Sequence, residues 1–447
     1  VRIPMPTEPG FLRGSNTNYS GPGSVASRRG VGVIIGDQLR KILVLLVVGN
    51  PLIGSSEPDP KIVEKFREQW PEVQQWLRSE REGVQAQAAS YIANRGYGRL
   101  AHKAVPFFLE FLRDSDQGGM RYPRHRGACV RALGAIGPQA AAAVDRLVAI
   151  AGNTAEAIPG EKGLEPFAIE ALGRIGVGSE AVVDCLTTHL RSTIRHNGWA
   201  AGLALGRMEE GLPVLLETVD SNSPPARYYA FAGLCRQETW AAENFEKLAT
   251  QFREIFSNPD VGRRHPPSAA LIIARELAAF IVREPRARFG RFLEWFPADW
   301  DERAQDEVRG AYFTVVLFIF RRFHQKTEGR IPVDQDELQV LYGQIRQGLA
   351  AERWDGMLSS CYQTAAGLGR YSDPLLEDYE TVLAHDERKR RIAAWRALEN
   401  LARNGHADQI AWLKRVIKKR MPQISDPDER GVVEKVVQVL GQRRDRR

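Results

Sequence analysis

Apolar residues recur along this chain at helical spacing, and one short helix ending repeats. Ala132-Leu133-Gly134-Ala135-Ile136-Gly137 is followed by Ala171-Leu172-Gly173-Arg174-Ile175-Gly176 and by Ala204-Leu205-Gly206-Arg207-Met208. Looser copies stand at Gly233-Leu234-Cys235 and Tyr91-Ile92-Ala93-Asn94-Arg95-Gly96. With Ile92, Leu133, Leu172, Leu205 and Leu234 taken as equivalent, the steps are 41, 39, 33 and 29 residues, periods that belong to two-helix repeats. The residues four before and three after each position share a helical face. They are Cys129 and Ile136, Ala168 and Ile175, Ala201 and Met208, so one buried stripe per helix is predicted. The outer copies depart from it at Arg95 and Gln237. The small Ala and Gly residues are expected to let the paired helices approach closely, and Gly137 and Gly176 to end the first helix at a positive φ.

A second amphipathic segment follows each stop. Ala104-Val105-Pro106-Phe107-Phe108-Leu109 runs on to Phe111 and Leu112, and Gly211-Leu212-Pro213-Val214-Leu215-Leu216 has the same form. Pro106 and Pro213 suit a first helical turn, where the missing N–H is not needed. From Ala226 onward the repeat signature fades while helix signals persist. Asp426-Pro427-Asp428-Glu429 places an N-cap, a proline and a glutamate before Val433, Val436, Val437 and Leu440; Asp334 with Glu337 does so before Leu338, Leu341 and Ile345, and Asp373-Pro374 opens Leu375 to Leu383. No alternating strand pattern of useful length occurs.

The stretch Arg126-Gly127-Ala128-Cys129-Val130-Arg131-Ala132-Leu133-Gly134-Ala135-Ile136-Gly137-Pro138, continuing into Ala143-Val144-Asp145-Arg146-Leu147, resembles a HEAT repeat of the short bacterial kind also seen in phycobilin lyases. The clear copies cover about a third of the chain, from Val84 to Asp220. The resemblance implies an all-α fold, a right-handed solenoid of antiparallel helix pairs whose second helices line a concave face that commonly binds proteins. It implies no reaction. The expected organisation is a leader over 1–56, HEAT-like repeats over 57–225, and divergent helical repeats with a basic C-terminal cap over 226–447.

The chain carries a formal net charge of +7, which raises the question of nucleic acid. The excess is unevenly placed: Asp386 to Arg447 holds 17 basic and 9 acidic side chains, Val1 to Ser56 holds 6 and 2, and the long body between them 39 and 44. A slightly acidic body is not an electrostatic glove for phosphate. Val1 to Gly30 is rich in Gly, Ser, Pro and Asn, without a sustained apolar period. After it, Arg40 and Lys41, the apolar run Ile42 to Val48, Pro51 and Gly54-Ser55-Ser56 follow the order of a secretory signal peptide. The shortness of that run and its distance from Val1 fit a first buried helix equally well, so export with cleavage near Ser56 and a cytoplasmic chain are both compatible with the sequence. Elsewhere the longest apolar stretch, Ala311 to Phe320, is shorter than the ~20 residues that span a bilayer.

Candidate chemistry is sparse. Gly49-Asn50-Pro51-Leu52-Ile53-Gly54-Ser55-Ser56 lacks the lysine of a phosphate loop. The histidines form no HxH or HExxH pair, there is no GxSxG elbow, and Cys129 and Cys361 fall on apolar helical phases. Between Arg286 and Lys326, Arg288, Arg291, Arg321 and Arg322 interleave with Phe289, Phe292, Trp295, Phe296, Trp300 and Phe323. That pattern can grip phosphates and stack bases; with Asp299 and Asp301 it invites comparison with HEAT-like alkylpurine DNA glycosylases, but an aromatic core under a solvated arginine face is the preferred reading. No catalytic, cofactor-binding or metal-ligating residue is assigned and no cofactor is expected. The function expected is a non-catalytic scaffold for another protein; a nucleic-acid binder or glycosylase-like enzyme, and a lyase-like helper presenting a small ligand, are the alternatives.

Overall fold

A computed structural model describes residues 60–95, 97–114, 123–152, 163–192, 194–221, 223–257, 268–296, 306–326, 333–350 and 356–444. The leader, with Arg40 to Ser56 and the phosphate-loop-like stretch, lies outside them, as do Asp299, Trp300 and Asp301. Every regular element among the described residues is a helix. After α1 (Pro60–Leu77) come α2 (Glu82–Asn94), α3 (Val105–Asp114), α4 (Pro123–Ile136), α5 (Val144–Gly152), α6 (Glu165–Ile175), α7 (Glu180–Leu190), α8 (Arg195–Leu205), α9 (Leu212–Val219) and α10 (Pro224–Leu234). They are followed by α11 (Glu238–Glu243), α12 (Phe245–Ser257), α13 (Ser268–Ile281), α14 (Pro285–Leu293), α15 (Asp306–Lys326), α16 (Gln335–Ala350), α17 (Gly356–Gly367), α18 (Leu376–Leu383), α19 (Arg388–Asn404), α20 (Ala407–Arg420) and α21 (Pro427–Arg444).

The order of contacts is that of a solenoid. The first helices stack directly on one another, α2 on α4, then α6, α8, α10, α13, α15, α17, α19 and α21, while the second helices form a row behind them. This ladder passes Ala226 without interruption, so the segment where the repeat signature fades continues the same stack. The all-α, HEAT-like solenoid of helix pairs expected from the sequence is the fold observed. Leu133, Leu172, Leu205 and Leu234 are buried, together with Cys129, Ile136, Ala168, Ile175, Ala201 and Met208, so the stripe predicted by periodicity is the core. Gly137 and Gly176 have φ of 73° and 74°, and the Gly176 N–H closes α6 by donating to the Leu172 carbonyl. The apolar run Ala311 to Phe320 lies inside α15, mostly buried.

The two rows are held by different forces. In the first row, backbones touch at glycines: a Cβ on Gly134 would stand 2.9 Å from Ala171 Cα, one on Gly173 2.5 Å from Ala204 Cα, and one on Gly206 2.3 Å from the Gly233 carbonyl oxygen. The small residues therefore join successive repeats rather than the two helices of one pair. In the second row long side chains bridge the gap, through the ion pairs Arg191–Glu217, Arg291–Glu246, Arg346–Asp378 and Lys419–Glu380 at 2.9 to 3.2 Å. The first helices therefore meet backbone to backbone, while the second helices meet through long side chains.

Several local readings also change. Gln237, an apparent departure, donates its Nε2 hydrogens to the Met208 and Leu205 carbonyls at 2.6 and 3.3 Å, satisfying groups that the end of α8 leaves open. Arg95, the other departure, lies over the Tyr91 ring at the end of α2. Asp426 caps α21 by accepting the Glu429 N–H at 2.9 Å, but Val437 is 44% exposed and Val439 takes its place in the core. Asp373 opens no α-helix; Gly369–Leu375 is a 3₁₀ turn, and the Asp373 carboxylate instead accepts from Gln409 and contacts His406 at 2.7 and 3.0 Å.

Candidate functional site

The residue two places after each marker leucine is alanine in the first clear copy, Ala135, and arginine in the next three: Arg174, Arg207 and Arg236. They lie along the first-helix row, where each step leaves a glycine notch for the next side chain. Arg174 lies across Gly134, with its Cδ 3.5 Å from where a Cβ would stand, and the Arg207 guanidinium lies across Gly173 at 3.4 Å. Further along, Arg275 from α13, Arg283 just after it and Arg322 from α15 join the same electrostatic neighbourhood. The outcome is a file of guanidiniums along the seams between repeats.

Three carboxylates answer them. Glu170 pairs with Arg174 at 2.6 Å. Glu276 is buried and receives Arg236 and Arg275, each at 2.8 Å. Burial alone would raise the Glu276 carboxyl, but Arg236 and Arg275 outweigh it and hold the group below its ordinary value. Glu238 pairs with Arg283 and, at 2.7 Å, with Arg288. Arg207 and Arg322 have no hydrogen bond or ion pair to a carboxylate among the described residues, only more distant charges. Arg207 is crowded by protein atoms yet keeps part of its surface in solvent. Burial, with Arg236 and Arg174 adding to it, pushes its guanidinium down to about 9. Burial likewise lowers Arg322; Glu276 opposes the shift, while Arg275 and Arg236 reinforce it. Aromatic rings pack beside the file: Arg131 lies over the Phe167 ring at 5.0 Å, and the partly buried Trp199 meets the buried Tyr229 edge-on.

The arginine–aromatic constellation from Arg286 to Lys326 is partly corrected. Phe289, Phe292, Trp295, Phe296 and Phe323 are core, with Phe292 stacked on Tyr312 at 4.7 Å, so no described ring of that set is free to stack a base. Its arginines are not a solvated face, however. Arg288 is buried over the Phe280 ring, donating to the Phe280 carbonyl at 2.8 Å and pairing with Glu238 and Glu284. Arg321 and Arg322 are partly buried and Arg291 alone is exposed. These arginines are hidden in the sequence because ALGR reads as a packing signature; the signal is the return of arginine at one repeat position.

Other chemistry is accounted for by packing. Cys129, Cys235 and Cys361 are buried, and burial pushes their thiols far above the ordinary value, which makes them inert. His189 is buried with Nε2 2.8 Å from the Ala151 carbonyl oxygen. Among the described residues no group of His, Cys, Asp and Glu is arranged to hold a metal ion. A cleft of about 230 Å³ near the C-terminus is lined by His385, Arg391, Trp395, Arg420 and Glu429, but Glu429 already receives Arg391 and the Trp395 indole N–H.

No family model matches the chain, and no curated protein matches it. Among solved structures it is similar to Kap121p bound to Ste12p, at 12% identity and a TM-score of 0.37 over 86% of this chain and 41% of that one. It is also similar to yeast importin-beta, Kap95p, at 12% identity and a TM-score of 0.35 over 91% of this chain and 53% of that one. The chain spans about half the length of the solved structures it matches.

Proposed function

We propose that this chain is a non-catalytic scaffold that binds another protein along the face formed by its first helices. The observation that carries the reading is the unbroken first-helix row from α2 to α21. Such a row offers one extended surface built from repeated elements, and contact area rather than special chemistry is what repeat surfaces supply. The face also carries residue types that dominate protein interfaces, arginine and tryptophan, at Arg131, Trp199 and Arg207. Affinity capture from the native host with cross-linking tests it. The expected result is a protein partner cross-linked to α4, α6, α8 and α10; cross-links confined to the second-helix row would overturn the assignment of the face.

A further inference from the structure

The first-helix row contains more cations than the carboxylates beside it use. Glu170, Glu238 and Glu276 are committed to Arg174, Arg283, Arg288, Arg236 and Arg275, which leaves Arg207 and Arg322 beside other guanidiniums and without a hydrogen-bonded carboxylate among the described residues. Keeping a cation in such surroundings is unfavourable for the folded chain alone. An arginine retained there gains its counter-charge from outside, and at a partly buried site the pairing is stronger than in open water.

We propose that Arg207 and Arg322 are the anchors for an acidic segment of a partner protein, its carboxylates taken by these two guanidiniums as it runs across the first helices. The inference rests on the scaffold reading and gives the partner its chemistry. Packed helix axes lie about 8–10 Å apart, and Arg207 follows α8 whereas Arg322 lies in α15, three steps along the row, a span an extended chain covers in about nine residues; carboxylates nine positions apart, which a peptide with glutamate at every third position contains, match the two anchors. A peptide is favoured over a nucleic acid because the file is interrupted by Glu170, Glu238 and Glu276, and because Glu57 to His385 holds 39 basic against 44 acidic side chains. A phosphate backbone needs a continuous positive field, whereas separate carboxylates need only separate forks.

The test uses the full chain and a short fluorescent peptide with glutamate at every third position, its glutamine counterpart, and oligo-dT as probes. The proteins are the wild type, Arg207→Gln, Arg322→Gln, the double variant, and Arg191→Gln as a second-row control. Anisotropy should show binding of the glutamate peptide only, weakened by roughly tenfold or more in the double variant and unchanged in the control. The melting temperature of Arg207→Gln should stay level or rise, because an uncompensated charge is removed; a structural arginine would lower it. Absence of glutamate-peptide binding, indifference to the double variant, or oligo-dT binding as tight with the same dependence would each overturn the proposal. A captured partner that binds wild type and double variant equally would remove the acidic segment while leaving the scaffold; failure to capture any protein would remove the scaffold itself.

Discussion

At Gly173 an added methyl group would stand 2.5 Å from both Cα and Cβ of Ala204, closer than any real side chain tolerates. Alanine is the better helix former by about 0.5–1 kcal/mol, yet here the next helix would have to move. Gly173→Ala is therefore expected to destabilise the chain by about 1–3 kcal/mol, as read from urea unfolding. Gly431, inside α21, has open space where its Cβ would point, and Gly431→Ala should stabilise by about 0.4–1 kcal/mol in the same measurement. Glu276 makes a second residue-scale case. Its folded carboxyl lies below the ordinary value of about 4.3, so its contribution to stability is complete above that value and is lost as pH falls through the depressed folded one. Glu276→Gln should cost about 3–5 kcal/mol near neutrality by leaving Arg236 and Arg275 uncompensated, and its melting temperature should show a smaller acid decline than the wild type. At this scale the sequence was a good guide to burial and a poor one to charge: Leu172 and Gly176 stood where the pattern put them, while the pairing of Glu276 joins residues 40 apart in the chain and has no local signal.

For the helices, legibility depends on whether both faces of an element obey the same period. α6 and α8 were readable because apolar residues mark one face and the ALG ending marks the seam. α21 was readable at its start, where Asp426 caps it, but Val437 was assigned to the core on spacing alone and is exposed. The end of α8 depends on Gln237 from the next repeat, a tertiary hydrogen bond that a single-helix pattern registers only as a broken stripe. Since α6 is packed against both α4 and α8, truncating its central side chain should weaken two seams together. Leu172→Ala is expected to cost about 2–5 kcal/mol, and calorimetry should show the loss as a lower transition for the central repeats; an unchanged melt would refute this register.

Over the whole molecule the distribution of charge separates cations used within the fold from those that could bind. The largest positive excess lies at the C-terminus, yet its members do not form one surface. Arg390 is buried against Glu387 and Arg391 is paired with Glu429, so both are used internally. On α20, Leu413 and Ile417 face the core while Lys414, Arg415, Lys418 and Lys419 are exposed, and Lys419 reaches back to Glu380 of the neighbouring second helix. Cations in the last turn also offset the negative end of the helix dipole, by about 0.3–1 kcal/mol for an exposed charge. These contacts give the last described helices a polar outer surface. Alanine at Lys414, Lys418, Lys419 and Arg420 together should therefore leave helicity unchanged and lower stability only by such small increments. Binding of duplex DNA and RNA at physiological salt should be weak before and after the change. A polyanion clamp would behave oppositely: affinity would fall by about 0.9 logarithmic units per logarithmic unit of salt for each DNA phosphate neutralised, and the quadruple variant would abolish it. Submicromolar binding with that dependence, measured by anisotropy at several salt concentrations, would move the functional surface from the first-helix row to the C-terminal helices.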